Sequence, residues 1–196
     1  ADTVTVNGAP AGDTFEIAPN GVRVAFARTN LGLFTLDIAA ESLVVNSGDG
    51  DDIITGTVGL SGLIALTLNG GNDNDRLTGG DGVDTLNGDA GDDTLIGAKG
   101  NDFMNGGSGS DTLVWNNGDN SDIMNGNEDA DTVAVNGAPV GDIFEIAPNG
   151  ARVAFTRTNL IPFVLDIDAE ALVVNGGEGE DVVTGTVGLS GLIALT

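Results

Sequence analysis

GGNDNDRLTGGDGVDTLNGDAGDDTLIGAKGNDFMNGGSGSDTLV, residues 70–114, divides without remainder into nonapeptides: GGNDNDRLT, GGDGVDTLN, GDAGDDTLI, GAKGNDFMN and GGSGSDTLV. An aspartate holds the sixth place of each: Asp75, Asp84, Asp93, Asp102 and Asp111. The eighth place is always a large apolar residue, Leu77, Leu86, Leu95, Met104 and Leu113. Glycine dominates places one, two and four, where a sharply turning backbone needs φ values that other residues resist. Such a unit is too short for a helix, so each predicts a turn and a very short strand whose eighth-place side chain points inward. Repetition in phase predicts that the units stack.

The pattern loosens outward. WNNGDNSDIMN brings Asp122 eleven residues after Asp111, and GNEDADTVA restores the spacing at Asp131. SGDGDDIIT and GGEGEDVVT put Asp52 and Asp181 in the same place. Within the block, Asp73 replaces the fourth-place glycine, and Asp89 and Ala98 replace second-place ones. Asp and Asn enter the left-handed region more readily than other residues, so the first change is mild.

A longer repeat encloses the short one. Residues 1–67 and 130–196 align without a gap, with 52 identical positions and a period of 129. A window from a tandem array has this form; a single globular domain does not. Outside the nonapeptides, TVTV, FEI, VRVAF, FTLDI, SLVV and LIALTL are β-branched or aromatic runs bounded by Gly, Asn or Asp. EIAPNGVRV predicts a hairpin, with Pro19 at the first central position of a type I turn and Gly21 closing it. Three stretches are expected: wider coils with a hairpin over 1–69, the nonapeptide block over 70–137, and a second copy of the wider coils over 138–196. The chain is all-β.

Composition limits the chemistry. The 196 residues carry 30 Asp plus Glu against 6 Lys plus Arg, a formal charge of −24, with 32 glycines and 40% hydrophobic residues. Forty per cent apolar content argues against simple disorder. The charge excludes nucleic acid, whose phosphates are repelled, and disfavours an anionic membrane surface. No run is long enough to span a bilayer. Self-repulsion at this charge calls for neutralising cations. With neither Cys nor His, only oxygen ligands remain, and these suit calcium or magnesium.

One glycine-rich turn offers about three oxygens, whereas calcium takes six to eight at roughly 2.3–2.6 Å. Strands stack at about 4.8 Å, so an ion between two stacked turns is within reach of both.

These nonapeptides resemble the Gly-Gly-x-Gly-x-Asp-x-(large apolar)-x repeats of the RTX, or hemolysin-type calcium-binding, family. The resemblance covers 70–137 and the two isolated turns at Asp52 and Asp181. It implies a right-handed parallel β-roll, here extended to a β-solenoid with hairpins projecting near Phe15–Phe26 and Phe144–Phe155. It implies that turns eighteen residues apart share an ion, pairing Asp75 with Asp93, Asp84 with Asp102 and Asp93 with Asp111. The expected metal set is the carboxylates of Asp52, Asp75, Asp84, Asp93, Asp102, Asp111, Asp122, Asp131 and Asp181. Turn residues Gly70, Asn72, Gly79, Asp81, Gly82, Gly88, Ala90, Gly91, Gly97, Lys99, Gly100, Gly106, Ser108 and Gly109 complete the shells, chiefly through backbone carbonyls. Extracellular calcium modules bind at about 10⁻⁴–10⁻³ M, so the chain is expected to fold after export, the family's usual route being type I secretion.

Other features have duller readings. Asp49 and Asp92 read as solvated turn residues, and Trp115 as a core or coil-edge side chain. Arg28–Asn30 and Arg157–Asn159 repeat the sequence RTN, and the arginines read as easing an acidic surface. Without His, Cys or Tyr the usual nucleophile–base pairs are missing, and carboxylates in a column differ from the single pair of a glycosidase. The expected role is therefore structural, not enzymatic: a calcium-rigidified extracellular adhesin, surface-layer or matrix fibre that joins end to end. The alternative is a calcium-dependent folding and secretion module of a secreted toxin or hydrolase.

Overall fold

The computed structural model describes residues 1–195 and contains twenty strands and no helix among them. Strands β1 (Thr3–Asn7), β2 (Thr14–Asn20), β3 (Arg23–Arg28), β4 (Phe34–Ile38), β5 (Ser42–Asp49), β6 (Ile53–Gly56) and β7 (Ala65–Asn72) come first. The nonapeptide block supplies β8 (Arg76–Asp81), β9 (Thr85–Ala90), β10 (Thr94–Lys99), β11 (Phe103–Ser108), β12 (Thr112–Asn116) and β13 (Ile123–Glu128). The second copy supplies β14 (Thr132–Asn136), β15 (Ile143–Asn149), β16 (Arg152–Arg157), β17 (Phe163–Asp168), β18 (Ala171–Asn175), β19 (Val182–Gly185) and β20 (Ala194–Leu195).

These strands form two ten-stranded sheets between which the chain alternates. One runs β1-β5-β7-β9-β11-β13-β17-β16-β15-β19, the other β20-β18-β14-β12-β10-β8-β6-β2-β3-β4. Successive coils pair in parallel and in register, so Leu77, Leu95 and Leu113 lie side by side in one sheet and Leu86, Met104 and Met124 in the other. All six are fully buried. A strand alternates faces at every residue, and the eighth place is the one that turns inward. The seventh and ninth places on either side of it are exposed or half-buried. Along one edge the amides of Asn46, Asn69, Asn87, Asn105 and Asn125 each donate to the asparagine one coil before, at 2.7–3.4 Å.

The hairpins exist, but they do not project. Each is part of a three-stranded antiparallel meander, β2-β3-β4 or β15-β16-β17, laid into the plane of a sheet. One face of the first hairpin is Phe15, Ile17, Val24 and Phe26, all at 1% exposure or less. Standing clear of the sheets would expose that face to water, so it lies over the core instead. The tip is also tighter than the sequence suggested. Asn20 pairs with Arg23, leaving Gly21 and Val22 as a two-residue loop, and Pro19 lies within the strand opposite Val24. Gly21 and Gly150 carry φ of 67° and 68° at the first loop position, as in a type II′ hairpin.

The 129-residue repeat exchanges sheets. β1, β5 and β7 belong to one sheet, and their equivalents β14, β18 and β20 belong to the other. With each meander counted as one crossing, an odd number of crossings separates β1 from β14. The meander of the first copy therefore lies in one sheet and that of the second copy in the other.

Phe155 is fully buried, with its ring centroid 4.9 Å from that of Phe144. Phe155→Ala should cost about 3–5 kcal/mol in denaturant unfolding of the calcium-saturated chain. Val22→Ser, at an 89% exposed tip, should stay within about 0.5 kcal/mol. Equal, negligible effects at both positions would mean that the hairpins stand away from the core.

Candidate metal centre

Each turn of the nonapeptide block ends on an aspartate, and stacking the coils places these aspartates in two columns, one at each edge of the sandwich. In the first column the amide of Asp52 donates to Oδ1 of Asp75 (2.8 Å), Asp75 to Asp93 (2.7 Å), Asp93 to Asp111 (2.8 Å) and Asp111 to Asp131 (2.9 Å). In the second, Asp84 donates to Asp102 (2.9 Å) and Asp102 to Asp122 (2.8 Å). Glu170 accepts the amide of Asp131 at 2.8 Å, and Asp84 accepts that of Leu66 at 3.0 Å. The spacing along the first column is 23, 18, 18 and 20 residues, so unequal coils still bring the sixth-place residue to the same corner.

One oxygen of each carboxylate is thereby engaged, and the other is not. Oδ2 of Asp52, Asp75, Asp84, Asp93, Asp102, Asp111, Asp122 and Asp131 is buried with no hydrogen-bond partner. These residues are 1–3% exposed. At Asp75, Asp84, Asp93, Asp102, Asp111 and Asp131, Oδ2 folds back over the first-place glycine of its own turn: a Cβ on Gly79 would lie 2.7 Å from Oδ2 of Asp84 and 2.7 Å from the carbonyl of Gly97 in the next coil. The first-place glycine is thus required by the carboxylate above it. Positive φ falls at the second and fourth places instead, at Gly71 and Gly82 and at the substitutes Asp73, Asp89, Ala98, Asn127 and Asp129, whose φ runs from 65° to 84°.

A buried, unpartnered carboxylate oxygen is costly as an anion. Burial, ahead of every other cause, pushes the carboxyls of Asp84, Asp93, Asp111 and Asp131 up to about 6, Asp75 and Asp122 to about 7 and Asp102 to about 8. Neighbouring carboxylates add to it, as Asp122, Asp84 and Asp119 do for Asp102. Asp52 is raised by burial as well. An unpaired anionic oxygen at each corner and a neighbouring backbone carbonyl make an all-oxygen donor set that suits a hard divalent cation.

The pairs expected from the sequence come together: Asp75 with Asp93, Asp84 with Asp102, Asp93 with Asp111. The columns also take in Asp52, Asp122 and Asp131. Asp181 accepts the amide of Asp142 at 2.8 Å and is half-buried. Among third-place residues, the Asp81 side chain is committed elsewhere. Its Oδ1 accepts the amides of Gly59, Leu60 and Ser61 at 2.7, 2.7 and 3.1 Å. The Gly59 amide, first among those bonds, lowers its pKa. The carbonyls of Lys99 and Ser108 accept the amides of Gly82 and Gly91. Asp92 belongs to a separate fifth-place ladder, donating to Asn74 and accepting from Ser110 at 2.8 Å each.

The long turn before Asp122 closes on Asp119, whose Oδ2 accepts the amide of Asn116 at 2.7 Å. Trp115 is fully buried there and donates Nε1–H to the carbonyl of Asn120 at 2.8 Å.

Two column residues escaped the sequence reading. Asp13 and Asp142 are 1% and 0% exposed at the same corners. GAPAGDTF and GAPVGDIF keep a first-place glycine, the sixth-place aspartate and an apolar eighth place, but the proline and missing glycines hide the match. The arginines of the RTN segments do not ease the surface. Arg28 reaches Asp13 at 2.8 Å and Arg157 reaches Asp142 at 3.4 Å, with the Arg157 side chain 3% exposed. Burying the two aspartates left them needing a donor from inside.

A family model described as RTX calcium-binding nonapeptide repeat (4 copies) matches residues 67–95 and 78–113. No curated protein and no solved structure matches the chain.

The raised carboxyl pKa values fix a pH dependence in chelator. The folded chain holds protons that the unfolded chain, with aspartates near about 3.9, releases. Stability from this source is complete below about pH 4 and is lost as pH rises through 6–8. Far-UV circular dichroism in chelator should show β content increasing from pH 8 to pH 5. Loss of β content over the same range would contradict the burial of unpartnered carboxylates.

Proposed function

The chain carries RTX calcium-binding nonapeptide repeats, and from that premise we propose that it is a calcium-rigidified structural module of an extracellular adhesin, surface-layer or matrix fibre, folding on calcium after export. Calcium is the cofactor of these repeats, which are structural, not catalytic. The observation that carries the reading is the pair of columns of buried aspartates, each Oδ2 without a partner. The columns run along the solenoid axis, so ions held there tie each coil to the next instead of decorating one pocket. A net charge of −24 makes the same demand, since self-repulsion opposes the compact state until cations lower it.

The near-identical 129-residue duplication favours a load-bearing array over a secretion module, which needs no large tandem units. In such an array the sheet exchange turns successive meanders to opposite faces, and equivalent surfaces recur every second unit.

The chain in chelator at pH 8 should lose the β structure of the nonapeptide block, keeping only the β signal of the two meanders, and regain it cooperatively at about 10⁻⁴–10⁻³ M calcium. Magnesium, which holds its waters and demands octahedral geometry, should fail to substitute. A β-rich spectrum in chelator at that pH, unmoved by calcium, would contradict folding on the ion.

Structural use is tested by stretching single tandem chains. Discrete unfolding peaks are expected in calcium, and smooth entropic extension in chelator. Smooth extension in both would exclude a load-bearing role.

A further inference from the structure

We propose that Arg28 and Arg157 are built-in cations: in the coil bearing each meander, a guanidinium does for the corner aspartate what calcium does in the nonapeptide block, so that this coil forms without metal. The proposal rests on the calcium reading of the other corners.

Asp13 and Asp142 hold the column position in every backbone respect. The amide of Asp13 donates to Oδ1 of Asp52, and that of Asp142 to Oδ1 of Asp181 at 2.8 Å. Their carbonyls accept the amides of Ile53 and Val182 at 2.9 and 2.8 Å. Only the carboxylates differ. Oδ2 of Asp13 accepts the amide of Ala9 at 2.8 Å, and Oδ2 of Asp142 that of Ala138 at 2.6 Å. Oδ1 faces the arginine. Each of these carboxylates therefore has a guanidinium against Oδ1, as a hydrogen-bonded ion pair at Asp142 and as an ion contact without hydrogen-bond alignment at Asp13, and an amide on Oδ2, where the nonapeptide corners leave Oδ2 with nothing.

The meander explains the difference. In the block, Oδ1 accepts the amide of the aspartate one coil before. Ahead of Asp142 that place is filled by β17, which takes over the pairing to the preceding coil through Asp166 N–H to the carbonyl of Asp122 at 3.0 Å. Asp142 loses its ladder donor, and Arg157 on the middle strand of the meander supplies another.

Arg157 is held rigidly for this. Nε and Nη2 donate to the carbonyl of Ile161 at 3.1 and 2.9 Å, and Nη1 to Oδ1 of Asn117 at 2.7 Å. The guanidinium carbon lies 5.7 Å from the Trp115 ring centroid and 5.0 Å from that of Phe163. Asn159 fastens the hairpin base, accepting the amide of Ile143 and donating to the carbonyl of Gly141, both at 2.8 Å. Asn30 does the same for the first copy. The repeated RTN is thus one device: the arginine neutralises the corner and the asparagine pins the strand. A chain with only 6 basic residues places two of them at these corners.

Hydrogen–deuterium exchange of the full chain, combined with a count of bound calcium, tests this. In chelator at pH 8, amides of 143–157 should exchange about tenfold or more slowly than those of 76–125. Asp142→Asn should leave the number of bound calcium ions unchanged, whereas Asp93→Asn should lower it. Arg157→Gln should abolish the chelator-resistant protection of 143–157, and the neutral double variant Asp142→Asn/Arg157→Gln should restore part of it. Loss of an ion from Asp142→Asn, or equally fast exchange of both segments in chelator, overturns the proposal while leaving the calcium reading intact. Failure of the unaltered chain to bind calcium at all overturns the calcium reading itself.

Discussion

A carboxylate oxygen buried without a donor is the constraint on which the structure turns. Each coil of the nonapeptide block presents such oxygens at its corners, because the aspartate amide must reach the next coil, and this fixes Oδ1 in the ladder and folds Oδ2 back over the turn. The arrangement cannot be relaxed by rotating the side chain outward without breaking the amide bond to Oδ1. In the nonapeptide block a residue larger than glycine would collide with it, as the 2.7 Å approach at Gly79 makes plain, whereas Ser47 takes that place beneath Asp52. A proton or a cation must therefore settle the corner. At neutral pH an ion does so with less loss of ladder bonding, since both oxygens stay acceptors.

The apolar core is thin by comparison. Each nonapeptide contributes one large inward side chain, such as Leu95 or Met104, and the backbone pairing between coils. Stability is then close to a sum of nearest-neighbour terms along one axis, and a weak link anywhere interrupts the whole. The meander coils differ. They bring pairs of buried phenylalanines, Phe15 with Phe26 and Phe144 with Phe155, at 5.2 and 4.9 Å between ring centroids. They also carry their own arginine. Metal-dependent and metal-independent coils thus alternate along the chain, joined where Trp115 packs on Phe163 with ring centroids 3.9 Å apart and planes tilted by 31°.

Much of this was legible in the sequence where the period was strict. Asp75 through Asp111 announce their own stacking, because a fixed step of nine leaves only one way to align the corners. Gly71 and Gly82 announce turns for the same reason. What could not be read was whatever depends on strands far apart in sequence. EIAPNGVRV suggested a hairpin, but not that its phenylalanines would be drawn over the core, nor that Phe34–Ile38 would add a third strand. Asp13 gave no signal, because GAPAGDTF lacks the second- and fourth-place glycines and its arginine partner, Arg28, lies on another strand. The function of first-place glycine was misjudged as conformational, since only the folded corner shows the carboxylate lying over it. Sheet exchange between copies follows from the number of crossings, which a 129-residue identity alone does not disclose.

The most direct measurement is a crystal structure of the chain grown in calcium, with anomalous scattering used to place the ions. The account predicts anomalous peaks along both columns, each within about 2.3–2.6 Å of Oδ2 of one of Asp52, Asp75, Asp84, Asp93, Asp102, Asp111, Asp122 or Asp131, and none at Asp13 or Asp142. Columns with no peaks, and Oδ2 bonded only to water or to a neighbouring carboxyl proton, would contradict it.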